Sequence, residues 1–223
     1  MFNNYKIVVT GVSGILGEKA AKAFLDRGAF VIGIDQKEPS VESDRFIFLQ
    51  HSFLNDSETD SACSKIENCF NGAMDTVVNA APMDGNVDLR KISKKEFDEY
   101  LCQKLYSVID INRKLCPMLK KSESGNPSIV NIGSSESRSN NIASGMKSLC
   151  SQALIKLTRI QAGSYDGIRC NSVSPADGKD NTELQSVIDT VLFLCSEDAG
   201  FITGADFLVD YGVSARNGAR LES

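Results

Sequence analysis

One glycine-rich stretch indicates the fold of this chain of 223 residues: Thr10-Gly11-Val12-Ser13-Gly14-Ile15-Leu16-Gly17. It follows an apolar run over 5–10 that is typical of a buried strand, and it leads into a segment of helical spacing over 14–27 that Gly28 ends. Glycines at this spacing allow a tight turn, a close approach of backbone N–H groups to a pyrophosphate, and packing of helix on strand. The stretch therefore predicts a dinucleotide-binding turn in which a helix N-terminus faces phosphates.

The second predicted strand, over 30–34, is followed by Asp35, 18 residues beyond Gly17. A carboxylate at this place can accept hydrogen bonds from the adenosine ribose hydroxyls, and it repels a 2′-phosphate. The pattern favours NAD as the cofactor over NADP, although Lys37 keeps NADP open. The alternative for Asp35 is an aspartate that only forms a turn.

Strand and helix patterns alternate along the whole chain. This alternation predicts an α/β fold: a Rossmann-type, doubly wound, mainly parallel seven-stranded sheet with helices on both faces. No linker or repeat interrupts it, so one domain over 1–223 is expected. The further predicted strands are 45–49, 75–79, 128–132, 168–173 and 206–209, and the further helices are 57–70, 94–121 (ending near Pro117), 142–162 and 182–195.

Composition argues against several classes of function, although a local basic patch stays open. The net charge of −5 argues against a nucleic-acid partner, because a surface that follows phosphates needs a basic surplus. No apolar stretch is long enough for a membrane span, and the start lacks a signal-peptide pattern, so a cytoplasmic protein is expected. The seven cysteines include no Cys-x-x-Cys pair, which favours reduced structural thiols and no metal site.

Further segments resemble, in chain order, the short-chain dehydrogenase/reductase family. The glycine stretch resembles the family's glycine motif, with the spacing of its extended members. The other matching segments are Asn79-Ala80-Ala81-Pro82 (the end of the fourth strand), 129–134 (the strand that carries the catalytic serine), 167–171 with Ser174-Pro175 (the sixth strand), and 193–196, 202–204 and 209–210 (the C-terminal signature).

The resemblance implies a nicotinamide dinucleotide site and a small carbonyl or alcohol substrate. Ser52 stands where the family often has an aspartate on the adenine. Together with the glycine pattern, the resemblance predicts cofactor contacts at Thr10, Gly11, Ser13, Gly14, Leu16, Gly17, Asp35, Ser52, Asn79, Ala80, Ala81 and Pro175.

Family chemistry uses an asparagine that holds a water, a serine that polarises the substrate oxygen, a tyrosine acid/base and a lysine. By this resemblance Ser134 matches the serine. Lys147 stands at the tyrosine position and Ser151 at the lysine position. Lys104 stands at the asparagine position; if the register is shifted by one residue, Gln103 stands there instead. The catalytic candidates are therefore Ser134, Lys147 and Lys104.

Lys147 has two interpretations: a proton donor with a lowered pKa, or a solvated surface lysine at a site that no longer catalyses. Tyr100 and Lys104 share the Tyr-x-x-x-Lys spacing, but both precede the serine strand, so no catalytic role is predicted for Tyr100. Asn112, further along the same helix, is expected to be solvated or at an interface. His51 lacks the partners of a catalytic triad.

Two functions remain open. The first is a divergent NAD-dependent oxidoreductase, and the second is a dinucleotide-binding regulatory or assembly subunit, or repurposed enzyme, without hydride transfer. The short segment 176–181 after Pro175 leaves little to cover a substrate. A homodimer or homotetramer through the two long helices is expected, with apolar faces at Ile109, Leu115, Leu149 and Leu154, although burial within one chain explains them equally well.

Overall fold

A computed structural model describes residues 1–52, 56–81, 87–139, 141–176 and 181–216. Pro82, most of the segment after Pro175, and the tail from 217 onward lie outside the described residues. The strands are β1 (Lys6–Thr10), β2 (Phe30–Asp35), β3 (Phe46–Gln50), β4 (Thr76–Asn79), β5 (Ser128–Ile132), β6 (Arg169–Pro175) and β7 (Asp206–Val209). The α-helices are α1 (Ile15–Leu25), α2 (Asp56–Phe70), α3 (Lys94–Leu101), α4 (Ser107–Leu119), α5 (Gly145–Ser164), α6 (Asn181–Cys195) and α7 (Val213–Arg216).

All seven strands form one sheet in the order β3-β2-β1-β4-β5-β6-β7, and every neighbouring pair is parallel. The predicted fold class is confirmed. The chain order reverses at β1, which pairs with β2 on one side and β4 on the other. In such sheets a crevice opens at this reversal, beyond the carboxyl ends of the strands, and it is the usual place for a ligand.

Both faces of the sheet are covered by helices. Alternate strand residues point to opposite faces, so Val9 packs with the α1 and α6 side and Val8 with the α2 and α4 side. Leu115 and Leu154, two residues predicted for assembly, are buried in the chain's own core, whereas Leu149 is exposed. The oligomeric state stays a prediction.

The predicted helix over 94–121 is three elements. A π-helical turn, Cys102–Tyr106, separates α3 from α4, and Pro117 lies inside α4, which continues to Leu119. A proline in the last turn removes one backbone hydrogen bond but leaves the earlier turns intact. The helix predicted from 142 begins as a short 3₁₀ turn, Ile142–Ser144, before α5.

Among the described helices, none has the length and apolar character that crossing a membrane demands.

Candidate dinucleotide and active site

Two of the three predicted glycines cannot be replaced without moving backbone. Gly11 has a φ of +69°, and a Cβ there would lie 2.5 Å from the backbone nitrogen of Ala81. A Cβ on Gly17 would lie 2.1 Å from the carbonyl oxygen of Gly11. The turn is therefore packed against the end of β4 and against the first turn of α1, as the motif requires.

Gly14 has a different role. It is the N-cap of α1 with a φ of −78°, and no side chain caps the helix there. The first N–H groups of a helix have no partner within the helix, so they are available to a phosphate. The geometry at the start of α1 fits the pyrophosphate of a dinucleotide.

Asp35 ends β2 beside the glycine turn. Its Oδ2 accepts a hydrogen bond from the Ser13 backbone N–H at 2.9 Å, and its Oδ1 accepts from the Gln36 N–H at 2.6 Å. The carboxylate thus joins the end of β2 to the turn, and it is only half-buried. The predicted contact of Asp35 with the ribose hydroxyls stays a prediction.

A cavity of about 180 Å³ lies beyond the carboxyl ends of β1 to β4 and beside α4. Seven of the predicted site residues line it: Thr10, Gly11, Asp35, Ser52, Asn79, Ala81 and Lys104. Sequence reasoning missed six more: Gln36, His51, Gln103 (considered only as the alternative register), Ser107, Val108 and Ile111. Ser13, Gly14, Leu16 and Gly17 lie in the adjoining turn and helix, while Pro175 ends β6, two strands beyond β4.

Asn79 and Thr10 contribute side chains to a buried polar network. The Oδ1 of Asn79 accepts from the Thr10 hydroxyl at 3.1 Å. Its Nδ2 donates to the Oδ1 atoms of Asn112 at 2.9 Å and Asn131 at 2.8 Å. The Asn79 amide is therefore held by the protein, and it fixes the floor of the cavity.

Asn112 is fully buried, so the expectation of a solvated or interface residue is wrong. The Oδ1 of Asn112 accepts from Asn79. Its Nδ2 donates to Gln161 Oε1 at 3.3 Å, and this hydrogen bond links α4 to α5. Its position between Ile111 and Leu115, both buried, is the local signal that could have placed it on the inner face of α4.

His51 forms part of the cavity wall beyond β3. Its backbone N–H donates to the Asp35 carbonyl at 2.8 Å, and its ring Nε2 lies 3.1 Å from the Thr59 hydroxyl. Burial lowers the pKa of the imidazole, against the opposing effect of Glu58, whose carboxylate lies 3.8 Å from Nδ1. The ring is therefore neutral near pH 7 and adds no charge to the wall.

Ser134 follows β5 and is buried, with its Oγ accepting a hydrogen bond from the Glu136 N–H at 3.2 Å. Lys147 and Ser151 lie one turn apart on the inner face of α5. Lys147 is only 7% exposed, so it is not the solvated surface lysine of one interpretation. Ser151 is fully buried, and its hydroxyl has no hydrogen-bond partner among the described residues.

Lys104 lies in the π-helical turn and lines the cavity. Burial raises the pKa of the Cys150 thiol on α5 to about 11, and the positive charge of Lys104 opposes that rise. The ammonium group therefore lies within electrostatic reach of both the cavity and α5.

All seven cysteines are unbridged, and three of them, Cys150, Cys170 and Cys195, are buried. Within the described ranges no cluster of three metal-ligating side chains occurs.

Comparison with known proteins agrees with this architecture. Residues 5–190 match the family model of the short chain dehydrogenases. Meso-2,3-butanediol dehydrogenase of Serratia marcescens is 25% identical over 97% of each chain. Asnovolin H dehydrogenase of Aspergillus novofumigatus is 24% identical over 86% of this chain and 76% of that protein.

Two solved structures show the same fold. The ligand-free aldohexose dehydrogenase of Thermoplasma acidophilum superposes with a TM-score of 0.87 at 24% identity, covering 100% of this chain and 98% of that one. A short chain dehydrogenase of Leptospira borgpetersenii with bound NAD⁺ gives 0.85 at 24% identity, covering 96% and 94%. Family members bind nicotinamide dinucleotides. On the match to residues 5–190, this chain belongs to the short-chain dehydrogenase/reductase family of oxidoreductases.

Proposed function

We propose that this chain binds NAD(H) and, as a short-chain dehydrogenase/reductase with an altered active site, transfers hydride to ordinary ketones only at a residual rate. One observation carries the proposal. The inner face of α5 presents Lys147 and Ser151 one turn apart, where the family resemblance expects tyrosine and lysine, while the glycine turn and Asp35 keep their geometry.

The cofactor half of the proposal rests on three features of the chain. The N-terminus of α1 would hold the pyrophosphate, and the Asp35 carboxylate would accept from the ribose hydroxyls. The cavity beyond β1 to β4 would take the adenosine end together with the adjoining phosphates. When bound, the nicotinamide supplies or accepts the hydride. The chain's own residues bind and orient it.

The catalytic half rests on the proton donor. The Ser134 hydroxyl can polarise a carbonyl oxygen, but the proton must come from another group. An ordinary lysine, with a pKa of about 10.4, is a poor donor near neutral pH, and losing a matched donor typically costs about 10²–10⁴-fold in rate. At the limit of no turnover, the chain is a dinucleotide-binding protein without hydride transfer.

A second candidate is a working oxidoreductase in which Lys147 is the proton donor. The burial of Lys147 on the inner face of α5 favours it, because the side chain is held within the fold beside the family's catalytic positions and is not in bulk solvent.

The cofactor half is tested by fluorescence titration with NADH and NADPH. NADH should bind about tenfold more tightly, because the Asp35 charge repels a 2′-phosphate. Asp35→Asn keeps an oxygen for the Ser13 N–H but removes the charge. The preference for NADH over NADPH should therefore narrow. Asp26→Asn, at the exposed far end of α1, is the matched control and should change nothing. Equal affinity for both cofactors in the unmodified protein would refute the assignment.

A further inference from the structure

We infer that Lys104 is a cofactor-binding residue, whose ammonium meets the negative charge of the dinucleotide phosphates in the cavity beside α4. This assigns it to the cofactor, whereas sequence reasoning had made it a catalytic candidate. The inference rests on the proposed binding of NAD(H), and it names the group that supplies the charge for it.

The geometry of the cavity wall is the first support. Lys104, Val108 and Ile111 follow one another at helical spacing, and all three line the cavity together with Gly11 and Asp35 from the sheet edge. Part of the lining therefore comes from the glycine turn and β2, and another part comes from the π-helical turn that carries Lys104 and from α4. A ligand in this cavity has both parts of the lining around it.

The charge of the lining is the second support. A dinucleotide brings two phosphate charges to a wall that already carries the Asp35 carboxylate. The N-terminus of α1 offsets about half an elementary charge. Lys104 is the one lysine or arginine among the described lining residues, and the buried His51 ring is neutral. The positive charge that balances the phosphates thus comes from Lys104.

The surroundings of Lys104 strengthen this effect. The side chain is half-buried, and its charge is felt by the buried Cys150 thiol on α5. Ser151, next along α5, is fully buried and brings no charge to this region. Because solvent screens a partly buried charge less than an exposed one, Lys104 attracts a phosphate more strongly than a surface lysine does.

The test uses the full chain with three probes: NADH, ADP-ribose, which keeps the pyrophosphate, and adenosine, which lacks it. Lys104→Gln should weaken NADH and ADP-ribose binding by about tenfold, the usual size of a hydrogen bond to a charged group, and should leave adenosine unchanged. Lys104→Arg should restore affinity. Lys156→Gln, an exposed lysine on α5, is the matched control and should behave as the unmodified protein does. Added salt should weaken NADH binding less in Lys104→Gln than in the unmodified protein.

Circular dichroism melting curves establish that each variant is folded. If Lys104→Gln is not folded, Lys104→Met, which also removes the charge, takes its place. Unchanged affinity of Lys104→Gln for NADH and ADP-ribose overturns the inference, as does an equal loss for adenosine, because the contact would then be packing and not charge. A change in turnover without a change in binding would return Lys104 to a catalytic role. Failure of the unmodified protein to bind NADH or ADP-ribose at all is a separate result, and it removes the proposed function itself.

Discussion

At the scale of single residues, buried amides join the cavity floor to the helices above it. Asn79 on β4 donates to Asn112 on α4 and to Asn131 on β5, and Asn112 donates in turn to Gln161 on α5. Each of these groups is removed from water, so its hydrogen bonds are costly to lose. The network sets the spacing between the sheet edge and the two helices that flank the site.

Asn112→Leu tests this role. The change keeps a side chain of similar size but leaves one Asn79 hydrogen and the Gln161 oxygen without that partner. The free energy of unfolding in urea should fall by about 1–3 kcal/mol. Gln185→Leu, on the exposed face of α6, is the control and should change it by less than about 0.5 kcal/mol. An equally small effect of Asn112→Leu would show that the network does not stabilise the fold.

Single residues also differ in how far sequence could predict them. Gly11 and Gly17 were predictable because the turn itself forces a positive φ at Gly11 and places Gly17 against the Gly11 carbonyl. The burial of Lys147 was not, because burial on one face of a helix depends on tertiary contacts. Near Lys147, the segment before α5 is held on the helix by Ser148 Oγ, which donates to the Ser139 carbonyl at 2.8 Å, and by Gln152 Nε2, which donates to the Ser137 carbonyl at 2.9 Å.

At the scale of elements, the π-helical turn, Cys102–Tyr106, shapes one wall of the cavity. Helical periodicity predicted a continuous helix there, since one extra residue in a turn leaves no compositional signal. The start of α3 is easier to predict from the sequence. Ser93 and Glu96 form a capping box, in which the Ser93 N–H donates to Glu96 Oε2 at 2.9 Å. Turns of the π type often occur at functional sites, in agreement with the lysine that this one carries.

Helices α2 and α4 are joined by an ionic cluster behind the cavity. Lys114 lies 2.7 Å from Asp60 on α2 and 3.0 Å from Asp110 on its own helix, and Arg113 lies 2.6 Å from Asp110. Burial works against ionisation of Asp110, but the hydrogen bonds from Arg113 and Lys114 outweigh it and lower the pKa of the carboxyl. The cluster therefore ties α4 to α2.

This cluster makes stability depend on pH. Because the pKa of Asp110 is lower in the folded state, its contribution is complete above its ordinary value of about 3.9 and is lost as the pH falls through the folded value. Asp110→Asn should therefore lower the unfolding free energy at pH 7, and the loss should shrink as the pH is taken below about 4. The loss should also be smaller in a Lys114→Met background. A loss of constant size from pH 7 to pH 2 would assign it to packing.

At the scale of the whole molecule, the parallel sheet and its strand order could be predicted from the sequence. Alternating strands and helices with right-handed crossovers leave few arrangements, and the glycine turn after β1 marks the strand at which the order reverses. The chemistry could not be predicted in the same way, because the catalytic candidates come from three separate segments: the π-helical turn with Lys104, the end of β5 with Ser134, and α5 with Lys147 and Ser151. The fold is that of the family.

In the proposed function, this site binds NAD(H) but catalyses poorly. NADH consumption by the NADH-saturated protein, measured with a panel of ketones and aldehydes, tests this directly. The unmodified protein should show only residual turnover. Ser134→Ala should change that residual rate little, because polarising the carbonyl cannot accelerate a step that lacks a proton donor. The double change Lys147→Tyr and Ser151→Lys should raise it by about 10²-fold if the pocket is otherwise intact. Brisk turnover by the unmodified protein, abolished by both Ser134→Ala and Lys147→Ala, would contradict the claim and make Lys147 the proton donor.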